Sequence, residues 1–391
     1  MAASSPLSEA NTAFCLALFK QLDEDKKSSN VFYSPLSISS ALAMVMLGAR
    51  ANTATQILHR SPVPALTLIC FDCPQCLKAQ DDVHVKFSKL IKELNKAGAP
   101  YSLSLANRLY GDQSYQFVEG FLADTKKHYD AKLKSVDFKA SAETARININ
   151  NWVEKQTQDK IKDLLAPGVV DSMTRLVLVN AIYFKGNWDR KFDADLTKDA
   201  QFKLNKVTLH NINTGALLKT FYDTVVASIL ELPYKGKDLS MLIFLPYEME
   251  DDTTGLEKLE KELTYEKFVE WTQPHKMYTV EVDVGLPRFK MEESYNLKDI
   301  LTRMGMVDAF DVRMSDFSGM SPANDLVLSQ VVHKAFVEVN EEGTKAAAAT
   351  TSDIMLCCGI PTFIADHPFL FFIRHKPSMS VLFAGRFCSP A

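Results

Sequence analysis

Residues 174–188, TRLVLVNAIYFKGNW, form a nearly unbroken run of aliphatic, β-branched and aromatic side chains. A strand of this kind has no polar face to offer water, so it belongs inside a sheet with both faces covered. The rest of the chain must supply that cover. The first third supplies helices. NTAFCLALFKQLDED places Phe14, Leu16, Leu18, Phe19 and Leu22 on one side of a helix. SPLSISSALAMVMLGA is a second, with Pro35 suited to the first turn, where a missing N–H costs nothing. DDVHVKFSKLIKELNKAG reads as a further helix ending at Gly98. SLSLANRLYGD alternates as a strand, and VEGFLADTKKHYD and SAETARININNWVEKQTQDKIKDLL read as helices.

The second half is rich in strands: ASILELPYKG, LSMLIFLPYE, TVEVDVGLPRFKME, VLSQVVHKAFVEVN, HPFLFFIRH and MSVLFAGRF. Helices GLEKLEKELTYEKFVEW and NLKDILTRMGM lie between them. Helices come early and strands late, without regular βαβ alternation, which predicts an α+β fold. The 391 residues would by length alone allow two or three domains. No repeat and no Pro/Gly/Ser linker divides them, so one domain over 1–391 is expected.

Hydrophobic residues make up 47% and charged residues 24%, as in soluble globular proteins. A net charge of −4 offers no basic stripe for nucleic acid. The longest obvious apolar run, Phe369 to Ile373, is far short of the ~18 residues that cross a bilayer, so no membrane partner is expected. The spaced apolar residues at the N-terminus read as a first helix rather than a secretory signal, and no Asn-X-Ser/Thr sequon occurs. Seven cysteines, odd in number and irregular in spacing, argue against a disulfide framework. These features predict a reducing, cytoplasmic location, with release by a route that needs no signal peptide left open.

Three stretches carry candidate chemistry. Cys70, Cys73 and Cys76 in CFDCPQC have metal-ligand spacing but lack a fourth cysteine, and His59 and His84 stand at no standard spacing. A surface loop of free thiols is the favoured reading, with no metal and no cofactor. Cys357 or Cys358 with His333 as base would make a thiol nucleophile. His333, however, sits in an alternating strand, where a buried, hydrogen-bonded histidine is the commoner case. No nucleophile elbow, phosphate loop or paired-histidine motif is present.

The third stretch, EEGTKAAAATTSDIMLCC, runs from Glu341 to Cys358. Alanine propensity allows a short helix capped by Thr344. A strand is the other reading. With Thr344 inward, Ala346, Ala348, Thr350, Ser352, Ile354 and Leu356 follow on the same face, while Lys345 and Asp353 point outward. Every inward residue up to Ser352 is small, so the segment can slide between two strands. A segment able to be loop or strand is a switching element.

At this point the sequence resembles the serpin family. EEGTKAAAAT resembles its reactive-loop hinge, and IADHPFLFFI, Ile364 to Ile373, its C-terminal signature. NVFYSPLSISSALAMVMLGA, LVLVNAIYFKGNW, LELPYKG, LPRFKMEESYNLKDIL and FSGMS match in the family's order, and the ending GRFCSPA resembles the intracellular, ovalbumin-type branch. The resemblance covers nearly the whole chain. It implies a fold of three β-sheets and about eight or nine helices, with an exposed reactive-centre loop at 341–365.

The implied activity is suicide-substrate inhibition of serine proteases. The hinge would be Glu341, Glu342, Gly343, Thr344, Ala346, Ala348 and Thr350, and the cleaved bond Cys357–Cys358. Ser34, Ser37, Asn180 and His333 match the family's shutter beneath the central sheet, which would make His333 structural. Met355 and Leu356, uncharged like Cys357, would suit chymotrypsin-like or elastase-like enzymes and disfavour trypsin-like ones. Cysteine proteases stay open as a second class of target. A monomer is expected. The alternatives are a non-inhibitory serpin, acting as a protease substrate or chaperone-like binder, and a metal or thiol enzyme. Three stretches depart from the family pattern: Lys345, residues 60–80, and VTLHNINTGALLKTFYDTVVASI after Lys206. Lys345 points outward in the strand reading and should do little harm.

Overall fold

The computed structural model describes residues 5–25, 29–59, 80–203, 212–247, 254–323, 325–341 and 361–389. In chain order the helices are α1 (Pro6–Asp25), α2 (Pro35–Met46), α3 (Ala51–His59), α4 (Gln80–Leu94), α5 (Glu119–Tyr129), α6 (Phe138–Gln156), α7 (Leu256–Glu262), α8 (Tyr265–Trp271) and α9 (Lys298–Arg303). The strands are β1 (Val31–Tyr33), β2 (Tyr101–Asp112), β3 (Lys134–Val136), β4 (Leu176–Gly186), β5 (Thr197–Lys198), β6 (Ile212–Asp223), β7 (Ala227–Pro233), β8 (Leu239–Pro246), β9 (Tyr278–Pro287), β10 (Phe289–Asn296), β11 (Leu328–Val339), β12 (Thr362–Ile364), β13 (Phe369–His375) and β14 (Ser380–Phe387). The fold is α+β, as expected.

Strand β4 is buried on both faces. Leu176, Leu178, Ile182 and Phe184 join the main core, while Val177, Val179, Ala181 and Tyr183 join a second core with α6. It lies at the centre of a five-stranded sheet of order β10-β11-β4-β2-β3. The pairs β10–β11 and β4–β2 are antiparallel, but β11 and β4 are parallel. The remaining nine strands form one path of eight, β1-β14-β13-β8-β7-β6-β9-β12, with β5 beside it on β6. That path divides at β6. Residues 212–221 of β6 pair with β9, whereas 220–223 pair with β7. Counted so, there are three sheets, two of which share a strand.

Several boundaries differ from the sequence reading. The helix read through Leu165 ends at Gln156, because Gln158 and Asp159 take positive φ and Leu164 and Leu165 turn in to the second core. The segment from Gly255 to Trp271 is two helices, broken at Leu263, with Thr264 capping the second through its side chain to the Lys267 N–H. The run TVEVDVGLPRFKME splits at Arg288 into β9 and β10, which belong to different sheets. The helix expected to end at Gly98 stops at Leu94. Helix α2 is buried along its entire length, as a helix without a charged face must be.

Candidate functional site

The polar residues that the sequence assigns to a shutter meet beneath the five-stranded sheet. Ser34 is the N-cap of α2. Its hydroxyl accepts the Ser37 N–H at 3.1 Å and donates to the Leu382 carbonyl of β14 at 2.6 Å. On the parallel seam, His333 of β11 is in register with Asn180 of β4, and both point to the main-core face. The Ser34 backbone N–H donates to His333 Nε2 at 3.1 Å. Since an amide can only donate, Nε2 carries no proton, and Nδ1–H donates to Asn180 Oδ1. Asn180 Nδ2 in turn faces the Ser37 carbonyl at 3.0 Å, the Ser37 hydroxyl at 2.6 Å and Asn107 Oδ1.

The four predicted residues are thus joined in one network, buried and satisfied as such groups must be. Burial lowers the His333 pKa from 6.5 to about 3, so the ring is neutral. That state suits a structural link. As a proton acceptor at neutral pH, His333 is already committed to the Ser34 amide.

Sequence reasoning missed two members. Asn107 of β2 stands opposite Asn180 and donates to Ser40 Oγ at 3.3 Å, and Ser40 donates to the Ser37 carbonyl at 2.9 Å. A signal was present. Leu103, Leu105 and Leu109 mark one face of β2 as apolar, and Asn107 interrupts it.

At the end of β11, Glu341 is the one hinge residue among the described positions. Its carboxylate accepts from Thr197 Oγ1 at 3.0 Å and lies 3.3 Å from Arg288 Nε, and its carbonyl accepts the Phe192 N–H at 3.3 Å. The Trp188 indole donates to the neighbouring Asn340 carbonyl at 2.9 Å and stacks on Tyr234 at 4.6 Å. Glu341, just past the C-terminal end of β11, is therefore held at a fixed point. The described residues resume at Pro361, and β12 runs parallel to β9. Behind β12, Asp366 holds Lys203 at 3.2 Å and His367 at 2.8 Å, and these partners keep its carboxyl below the ordinary range despite burial. Glu342, Gly343, Thr344, Ala346, Ala348, Thr350, Met355, Leu356, Cys357 and Cys358 lie outside the described residues, as do Cys70, Cys73 and Cys76. His84 is buried between α4 and α5, with Nδ1 at 2.6 Å from the Tyr129 hydroxyl. Among the described residues, no group of three or more His, Cys, Asp or Glu could hold a metal ion.

Comparison with known proteins places this architecture. Residues 9–390 match the family described as Serpin (serine protease inhibitor). The chain belongs to the serpin family. It is 52% identical to leukocyte elastase inhibitor of Equus caballus over 390 residues, covering 98% of this chain and 99% of the relative. The identity to leukocyte elastase inhibitor of Homo sapiens is 50% over 393 residues, with the same coverage. Serpin B6 of Macaca fascicularis is 48% identical over 390 residues, again with the same coverage. Among solved serpins, uncleaved ovalbumin superposes with a TM-score of 0.86 at 36% identity, covering 98% of this chain and all of that one. Maspin gives 0.86 at 34% identity, covering 98% of each chain. The sequence resemblance to the ovalbumin-type branch is borne out across the whole serpin body.

Proposed function

We propose that this serpin is a suicide-substrate inhibitor of elastase-like and chymotrypsin-like serine proteases. One geometric relationship carries the reading. Strands β11 and β4 are parallel neighbours, and Glu341, the first hinge residue, follows the C-terminal end of β11. A segment folding back from that end runs antiparallel to both strands. Its insertion replaces one parallel pairing by two antiparallel ones, the better pairing per residue.

In the proposed reaction the protease serine attacks the Cys357 carbonyl. An ester bond forms to Cys357, the Cys357–Cys358 peptide bond breaks, and the proton passes to the Cys358 nitrogen. The freed hinge, with Thr344, Ala346, Ala348 and Thr350 inward, enters the seam and draws the acylated enzyme with it. Loss of one oxyanion-hole donor costs about 3–4 kcal/mol of transition-state stabilisation, so a distorted enzyme does not complete hydrolysis. Ser34, Ser37, Asn180 and His333 act as the shutter that holds the seam closed until cleavage. Insertion is downhill because the native state is held by kinetics rather than by lowest free energy. The protein acts as a monomeric, single-domain cytoplasmic inhibitor, and its similarity to leukocyte elastase inhibitors supports protease targets.

The test mixes the reduced protein with neutrophil elastase, chymotrypsin and trypsin. The expected result is a denaturation-resistant complex with the first two, plus a released peptide whose mass begins at Cys358. Clean cleavage without a complex would reject inhibition in favour of a substrate role.

A further inference from the structure

Strand β2 has an open side. Strand β4 pairs with it from Tyr101 to Gly111, but β3, on the other side, reaches only Tyr110 to Asp112. Among the described residues, Tyr101 to Leu109 have no strand beyond them. Ala106 and Tyr110 face α6 in the second core. Arg108, midway between them, shares that face because side chains alternate along a strand.

Arg108 is half-buried and lies on Trp152 of α6, its guanidinium 3.9 Å from that ring centre and 5.9 Å from the Tyr110 ring centre. Stacking uses a face of the guanidinium and leaves its edge of N–H donors open. Its partners among the described residues are these two side chains, so no carboxylate balances its charge. The Tyr110 hydroxyl is in a similar position. Tyr110 is 3% exposed, and its hydroxyl has no hydrogen-bond partner among the described residues. Arg108 stands beside it, but a guanidinium has no lone pair, so the Tyr110 proton lacks an acceptor. Burial pushes this hydroxyl up to about 12, against the pull of Arg108, and it keeps that proton at neutral pH.

Two donors, one of them charged, thus stand side by side with no acceptor between them. A water would satisfy the hydroxyl but leave the positive charge unbalanced. An anion answers both. Asp112, two residues on along the same face, is engaged elsewhere. Its carboxylate accepts the N–H and hydroxyl of Ser114 at 3.0 and 2.6 Å, and the N–H groups of Phe138 and Lys139 at 3.0 and 3.3 Å. On β3, Lys134 is exposed and in register with Tyr110, which adds a second positive charge at the outer rim.

We propose that Arg108 and Tyr110, with Trp152 as floor and Lys134 at the rim, form a binding site for a small oxyanion, a carboxylate or a phosphate, entered from the open edge of β2. The guanidinium edge takes two oxygens of the anion, and Tyr110 donates to one of them. Arg108 is in register with Val179 in the middle of β4, whereas Glu341 lies past the end of β11, so the site is separate from the hinge. It stands whether or not the protein traps proteases.

The test is calorimetric titration of the full chain with sodium succinate and with inorganic phosphate, at an ionic strength held constant with sodium chloride. Saturable binding of one or both is expected, and the tighter of the two identifies the class of oxyanion. Heats no different from those of added chloride overturn the site. Arg108→Gln should weaken binding at least about thirtyfold and Tyr110→Phe about tenfold. Lys276→Gln, which removes a positive charge paired with Glu270, should bind as wild type. Wild-type affinity in Arg108→Gln overturns the site by placing the anion elsewhere. Tyr110→Phe removes a single oxygen and gives a second readout that does not depend on Arg108. In chloride alone its unfolding midpoint should equal or exceed that of wild type, because an unpaired buried hydroxyl costs stability. The anion should then raise that midpoint less than it raises the wild-type one. A lower midpoint in chloride alone overturns the site, since the hydroxyl would already have a partner.

Discussion

Ser34 and His333 stand 299 positions apart, yet the Ser34 backbone N–H donates to the histidine Nε2 at 3.1 Å. That bond ties the start of a buried helix to the middle of the central sheet. It also fixes the ring as a neutral acceptor, because a protonated imidazole would set two N–H groups against each other.

A pH dependence follows. The folded pKa of His333 is about 3, against 6.5 for a free ring. Above pH 6.5 both folded and unfolded chains hold it neutral, and its stabilising role is fully present. As pH falls below 6.5, the unfolded chain takes up a proton that the folded chain refuses, so stability declines toward pH 3. At pH 5 the loss is about 2 kcal/mol. Urea unfolding of wild type and His333→Gln at pH 7.5 and 5.0 checks this. The wild type should lose about 2 kcal/mol more than the variant over that interval, and equal losses would refute the assignment.

Asn180→Ala removes the common partner of His333 and Asn107. Buried His333 and half-buried Asn107 then lose a bond each, at a cost of about 2–4 kcal/mol. Because the loss falls on the seam, the variant should also form polymers on mild warming, read by native gel electrophoresis. A variant that melts earlier but stays monomeric would separate stability from closure of the sheet.

Glu341→Ala frees the start of the hinge. The Thr197 bond supplies most of the effect, about 1 kcal/mol. Arg288 is half exposed, and water screens its pair. Trp188 provides the readout, since its indole bonds the adjacent Asn340 carbonyl. Its emission should shift when the loop is cleaved in wild type, and should already be partly shifted in uncleaved Glu341→Ala. Only Trp152 and Trp271 need to be replaced by Phe to isolate that signal.

Cys357→Arg should redirect the inhibitor. A trypsin-like pocket carries an acidic base that pairs with arginine, whereas an elastase-like pocket rejects the charge. Complex formation with trypsin should appear and that with elastase fall at least about 100-fold, equivalent to roughly 3 kcal/mol. For the wild type, peroxide should abolish elastase trapping and a thiol reductant restore it, because oxidation makes a small apolar residue polar. Equal inhibition before and after peroxide would exclude a redox role for Cys357.

The sequence by itself determined a good deal. The apolar run 174–188 required a doubly covered strand, and β4 is one. Pro35 marked the first turn of a helix, and α2 begins there. Periodicity and capping are local, and a chain displays them without knowing its neighbours. Tertiary structure decided what lies across from what. No pattern announces that β11 pairs in parallel with β4, that Asn107 completes the link from Asn180 to Ser40, or that the helix through Asn150 must end at Gln156 so that Leu164 and Leu165 can pack on the sheet. Helix propensity favours continuing through residues 157–165 by a fraction of a kcal/mol per residue. Burying two leucines contributes several times more. The surface that buries them exists only once the sheet is assembled, and for that reason their burial cannot be read from the chain.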